Sequence, residues 1–210
     1  MSLQQIILLA PSILLALTLH EFAHAYTAHR LGDPTARLLG RLTLNPLKHL
    51  DPLGTLMLFL AQFGWAKPVP VDPRYFRSPK RDMLLVALAG PVSNLVLAFI
   101  SGMMLRLGRA EVFPLDSGGI SYVMLYMSLI INLSLAFFNL LPIPPLDGSK
   151  ILRSLLPNHL LATYLRFESY GPFLLLGLIV LDRFVETPIL GALLNPFIDF
   201  FKTLFAGSPS

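Results

Sequence analysis

The sequence predicts an all-α polytopic membrane protein with about 4–6 transmembrane helices and a re-entrant or short β-strand segment between the first two full spans. Three observations carry that expectation. Hydrophobic residues make up 54% of the 210 and charged residues only 13%, where a soluble domain carries roughly 25% charged residues. Mean hydropathy is +0.67. Several apolar runs are long enough to cross a ~30 Å hydrocarbon core at 1.5 Å per residue. The apolar runs leave no room for a separate soluble module, so residues 1–210 read as one integral-membrane domain, with a core over about 3–155 and C-terminal helices over about 160–206.

The first apolar run, 3–19, continues as a helix through His20 to His29 and stops near Leu31-Gly32-Asp33-Pro34, since Gly followed by Pro ends helices. Its start lacks Lys or Arg and no small-residue cleavage site follows, so it reads as a retained helix and not a signal peptide. Residues 30–82 are different. They hold nine of the sixteen Lys and Arg: Arg30, Arg37, Arg41, Lys48, Lys67, Arg74, Arg77, Lys80 and Arg81. Inside them, 53–65 is apolar but short for a span, which fits a re-entrant or half-buried segment. Stretches 36–44 and 67–71 have the residue types of short extended strands. Runs 83–105, 120–141 and about 160–181 are long enough to span, and 188–205 is a final span or an interfacial amphipathic helix, broken by Asn195-Pro196, Asp199 and Lys202.

The net charge of +4 is a matter of placement more than of nucleic-acid binding, because the basic residues gather in one connection. By the positive-inside rule that connection is cytoplasmic, which puts the N-terminus outside. His20 and His24 then lie toward the cytoplasmic end of their helix, and Asp147 just past the cytoplasmic end of its own. Arg106 and Arg109 run mildly against the rule. No cysteine is present, so there is neither a disulfide framework nor a thiolate metal site, and a bound metal must use His, Asp or Glu.

Residues i and i+4 share a helix face, so His20 and His24 can offer two imidazole nitrogens to one zinc ion. Glu21 flanks that face and can reach a water there, as in the HExxH metalloprotease pattern. The pattern is short and recurs by chance. Its position is more telling, since an acidic group at the centre of a membrane helix costs roughly 2.5–3.5 kcal/mol on insertion scales. Snorkelling interfacial side chains are the alternative reading. A catalytic zinc needs a third protein ligand, and the candidates are His29, His49, Asp51, Asp147, His159 and Glu168. Asp147 is favoured because it follows a proline-rich, irregular stretch at the end of a span, where irregular backbone implies surrounding protein or a polar cavity.

His20-Glu21-x-x-His24 in the first span, Ala89-Gly90-Pro91-x-x-Asn94 in the next, and Phe138-Asn139 with Pro142 and Leu146-Asp147-Gly148 together resemble the site-2 protease family of intramembrane zinc metalloproteases. Asn45-Pro46-x-x-His49-x-Asp51-Pro52-x-Gly54-Thr55 and the stretch from Gly64 to Val71 resemble its small bacterial branch. The likeness runs in order over about 15–155. It implies one zinc held by His20, His24 and Asp147, with Glu21 as general base. It implies a membrane-embedded or membrane-tethered protein substrate, cut within or near the bilayer during regulated intramembrane proteolysis, and a bacterial cytoplasmic membrane as the location. Unlike many relatives, the chain has no segment long enough for a PDZ or CBS domain, so a partner protein or an intrinsic gate would select substrates.

Asn139 and Asn94 each carry an amide inside an apolar run. Either could serve an oxyanion or hold a substrate strand, or simply bond helix to helix. The 37–44 and 69–71 stretches could form a sheet edge that accepts an extended substrate, or a loop packed under the helices. His49 and Asp51 could support the ligands, although a helix cap explains Asp51 equally well. His159 and Trp65 read as interfacial. Two other functions are a metal-binding transporter and a zinc-binding pseudoprotease. A transporter would show polar residues at successive depths, whereas the sequence places them at one level, and a pseudoprotease has little need of Glu21.

Overall fold

The computed structural model describes residues 3–61, 64–112, 115–116, 119–182, 184–185 and 188–207. Helix α1 (Leu3–Arg30) is followed by a single turn, α2 (Thr35–Leu38), and a short helix, α3 (Pro52–Ala61). Long α4 (Pro79–Arg109) and α5 (Ile120–Asn139) come next. Then α6 (Asp147–Leu155), α7 (Asn158–Glu168), α8 (Gly171–Asp182) and α9 (Ile189–Ala206) complete the described α-helices. Among the described residues three helices are long and apolar enough to cross a membrane, α4, α5 and α9, or up to four if the bent α7–α8 pair is one span. Their outer faces carry Val92, Val96, Phe99, Phe197, Phe200 and Leu204, each about half exposed. A contiguous apolar exterior of this kind suits lipid, not water.

α1 runs antiparallel to α4. Near one end Ala28 packs on Val86, and further along Asn94 reaches the carbonyl of Ala16. α9 runs parallel to α4, with its last residue, Ala206, accepting a hydrogen bond from Arg109 and a Phe205 packed over Gly102. Its first turn lies at the opposite end, where Leu190 and Leu194 pack against Leu141, Leu146 and Leu175.

The expected 160–181 span is broken. The run is two helices bent by 56°. It begins beside the start of α4, where Lys80 Nζ bonds Asn158 at 2.7 Å. It ends beside the start of α9, where Leu190 N–H bonds Asp182 at 2.8 Å. Its two ends thus contact the first turns of α4 and α9. Gly171-Pro172 punctuates the run, since Pro favours a helix start and cannot continue the preceding one.

The expected strands are not formed among the described residues, which show one isolated antiparallel bridge, Leu50 to Ala66. Residues 35–38 are helical instead. The 66–72 segment is extended, but Lys67 N–H bonds His49 O at 2.8 Å and Val69 N–H bonds the Glu21 carboxylate. Pro68 and Pro70 face the other edge and have no N–H to donate, so no sheet can grow there. The expected 53–65 segment appears as α3, about 15 Å long at 1.5 Å per residue, too short to cross; residues 62 and 63 lie outside the described residues. Asp51 caps it, accepting from Gly54 N–H at 2.8 Å.

Candidate metal centre and its neighbours

Helices α1, α4 and α6 build one buried cluster. α1 places His20 and His24 a turn apart, and α6 begins at Asp147. The Nε2 atoms of the two histidines are 3.0 Å apart. Asp147 Oδ2 lies 3.1 Å from that of His20 and 3.0 Å from that of His24. The residues are 5%, 6% and 4% exposed. Among the described residues this is the His/Asp/Glu group able to hold a metal ion.

Local chemistry brings Asp147 there. α5 ends at Asn139, and Pro142, Pro144 and Pro145 then hold the connection out of helix. The first turn of α6 rests directly on that connection: a Cβ on Gly148 would fall 2.2 Å from Leu140 O and 2.3 Å from Leu141 O. Only glycine permits such an approach.

Hydrogen bonding fixes both imidazole tautomers. His24 Nδ1 lies 2.7 Å from the carbonyl oxygen of Val86, which can only accept, so Nδ1 carries the proton. Asn94 Nδ2 donates to Ala16 O at 3.2 Å and to Asn132 Oδ1 at 2.8 Å. Its oxygen therefore faces His20 Nδ1, at 2.6 Å, and accepts from it. Asn132 is oriented in turn by donating to Ser128 O at 2.9 Å. With both Nδ1 atoms protonated, the neutral rings turn their two Nε2 lone pairs, together with one of Asp147 Oδ2, toward one point. A cation relieves that repulsion, and two imidazoles with a carboxylate are a donor set zinc accepts. Ligand atoms around tetrahedral zinc stand roughly 3.3 Å apart given ~2.0–2.1 Å bonds, close to the separations here. Outer partners that fix ligand tautomers are the usual companions of metal-binding histidines.

Gly90 keeps this space open. A Cβ there would lie 2.4 Å from His24 Nε2 and 2.6 Å from His20 Nε2. Glu21, 9% exposed, stands beside the cluster and accepts from Val69 N–H at 2.9 Å. The Val69 segment is pinned on either side, by Arg41 to Lys67 O at 2.5 Å and by Asp33 to Asp72 N–H at 2.8 Å.

The remaining candidates are elsewhere. His49 bonds Thr43 O, Asp51 caps α3, Glu168 pairs with Arg153 at 3.3 Å, His159 is exposed and His29 half-buried. Asn139 donates to its own helix at Leu135 O. Asn94, fully buried, has both amide hydrogens committed and its oxygen on His20, so nothing remains for an oxyanion. Sequence reasoning passed over Asn132, an amide inside the same apolar run as Asn139. It also passed over Lys150, one turn beyond Asp147. Polar side chains do occur at successive depths, contrary to the single level expected: Asn94, Asn132, Ser128 and Ser101 form a hydrogen-bonded file into the bundle.

Residues 114–178 match the model of Peptidase family M50. A Bacillus subtilis protein named "Putative zinc metalloprotease YwhC" is 44% identical over 200 residues, covering 92% of this chain and 90% of the relative. The chain belongs to peptidase family M50. This M50 chain is also 38% identical over 141 residues to "Putative zinc metalloprotease Rip2" of Mycobacterium tuberculosis, covering 64% of the chain and 52% of that protein. It is 28% identical to "Zinc metalloprotease MJ0392" of Methanocaldococcus jannaschii, over 69% of the chain and 33% of that protein. The M50 chain thus spans most of YwhC and about half of Rip2. No solved structure matches it. The resemblance to site-2 proteases holds, and the polytopic apolar helices accord with an integral membrane protein.

Proposed function

We propose that this chain is a zinc endopeptidase that cuts membrane-embedded or membrane-tethered proteins within or near the bilayer, as a step of regulated intramembrane proteolysis. The observation that carries the reading is the convergence of the His20, His24 and Asp147 lone pairs beside the buried Glu21 carboxylate. His20, His24 and Asp147 hold the metal. When bound there, zinc supplies Lewis acidity that makes water nucleophilic near neutral pH and polarises the scissile carbonyl. Glu21 takes the proton from the attacking water and returns it to the leaving amine. Val69 N–H occupies one Glu21 oxygen and fixes the rotamer, leaving the other oxygen for that proton. Asn94, through His20, and the Val86 carbonyl, through His24, keep both Nε2 atoms free of hydrogen. Asn139 is better placed than Asn94 to contact a substrate backbone, because its amide is only partly committed.

In this reading α1 is a fourth crossing, 28 residues long, and the whole chain is one domain. The basic 30–82 connection lies in the cytoplasm with the metal centre near that face, in a bacterial inner membrane. Substrate selection falls to a membrane partner or to the helices themselves. The polar file from Asn94 to Ser101 is the observation that favours a transporter. Its amide hydrogens are used within the bundle, which is how helices in membranes are commonly glued, so it serves as scaffold.

The test compares wild type with Glu21→Gln on a reconstituted transmembrane substrate, with zinc measured in both. Zinc retained and cleavage lost is the expected result. Equal cleavage by the variant refutes the base assignment, and metal flux without cleavage refutes the peptidase reading.

A further inference from the structure

Asp147 divides its carboxylate between two kinds of partner. Oδ2 faces the imidazole nitrogens at 3.1 and 3.0 Å, while Oδ1 accepts from the Lys150 ammonium at 2.9 Å. Lys150 stands one turn further along α6. Its side chain is 45% exposed against 5% for Asp147, so the ammonium is solvated on one side and bound to a buried anion on the other. Charge-assisted bonds of this kind are roughly twice as strong as neutral ones.

A carboxylate can bind a metal through one oxygen or through both, and the choice sets how many positions remain. With two imidazoles and one oxygen, tetrahedral zinc keeps one position for water; with both oxygens the three protein residues supply four donor atoms, and water then makes a fifth. We infer that Lys150 is a positioning residue that makes Asp147 a one-oxygen ligand and so keeps the metal four-coordinate, with water as its fourth ligand. The inference rests on the metal-centre reading above. It adds a residue that never touches the metal and acts by occupying the oxygen that would otherwise become an additional ligand. It also accounts for a cation beside a cationic centre, an arrangement that lowers metal affinity unless the carboxylate stands between the two.

The test uses the full chain, purified and loaded with cobalt(II), whose visible absorption is most intense in four-coordinate sites and lower in five-coordinate ones. Wild type, Lys150→Met, Lys150→Arg and Asp147→Ala are compared for metal stoichiometry and for absorption per bound cobalt. Met keeps the apolar stem of Lys150, which at 45% exposure is not a core side chain. The expected result is that Lys150→Met retains its cobalt, with absorption per metal falling severalfold, and that Lys150→Arg restores the intensity. Unchanged absorption in Lys150→Met overturns the inference. So does loss of the metal by Lys150→Met, since Lys150 would then hold the ligand in place without limiting it. Asp147→Ala separates the two levels: full metal binding by that variant refutes the metal-centre reading itself, whereas its loss together with an unaltered Lys150→Met spectrum refutes only the role of Lys150.

Discussion

Replacing Gly90 with alanine puts a methyl group where two imidazoles converge. The added Cβ would stand 2.4 Å from His24 Nε2 and 2.6 Å from His20 Nε2 and Cε1, about 1 Å inside normal contact at ~3.5 Å. The rings cannot back away freely, because His24 is tied to Val86 O at 2.7 Å and His20 to Asn94 at 2.6 Å. Releasing both ties costs about 0.5–1.5 kcal/mol each. The sum, about 1–3 kcal/mol, corresponds to a loss of roughly 5- to 150-fold in zinc affinity at ~1.4 kcal/mol per tenfold. Competition against a chelator of known affinity, read as zinc per chain, measures it. Gly102→Ala is the matched control. Its Cβ would meet Phe205 Cβ at 2.6 Å, a crowding of similar severity far from the centre, so it should lower thermal stability and leave zinc affinity alone. Wild-type zinc affinity in Gly90→Ala, or equal losses in both variants, would refute the claim that the missing side chain is what keeps the centre open.

Other outcomes follow from the same contacts. Asn94→Ala removes the acceptor that sets the His20 tautomer, and zinc affinity should fall about 10- to 100-fold, measured by the same chelator competition. Asn132→Leu acts one bond further out and should weaken zinc in the same direction by less; a larger effect than Asn94→Ala would contradict the order of the file. Val69→Pro deletes the N–H that Glu21 accepts while keeping an extended backbone between two prolines. Turnover should drop with zinc content and KM nearly unchanged, and loss of zinc would show that the segment supports the ligands instead. Removing zinc with a chelator should lower the melting temperature, because an ion held by His20, His24 and Asp147 would tie α1 to α6, and a ligand that binds only the folded state stabilises it.

The two histidines were legible in the sequence because the spacing of four is a property of the helix itself. Asp147 lies 123 residues beyond His24 and could be singled out only as a candidate, from the prolines that free the backbone around it. Asn94, Asn132 and Gly90 needed the rotation of α4 and α5 about their axes. In a soluble helix an apolar stripe reveals that rotation. Here lipid-facing and core-facing positions are both apolar, so Val92 on the outside and Ala98 on the inside look alike in sequence. The Glu21–Val69 bond was hidden for another reason: its donor is a backbone N–H, which every residue but proline possesses. The break in α7–α8 was written in Gly171-Pro172, and a hydropathy average over a 22-residue run passes over such a break.

The parallel course of α4 and α9 has a topological consequence. Because α1 runs antiparallel and α9 parallel to α4, the start of α1 and the end of α9 both lie at the end of the bundle where α4 finishes, away from the metal centre. On the proposed topology, with α1 as a crossing, a protein module fused to either end would be delivered across the membrane from the metal centre. It could sense or capture a substrate there, but it could not touch the bond being cut. A reporter fused after α9 should give the same sidedness as one fused before α1.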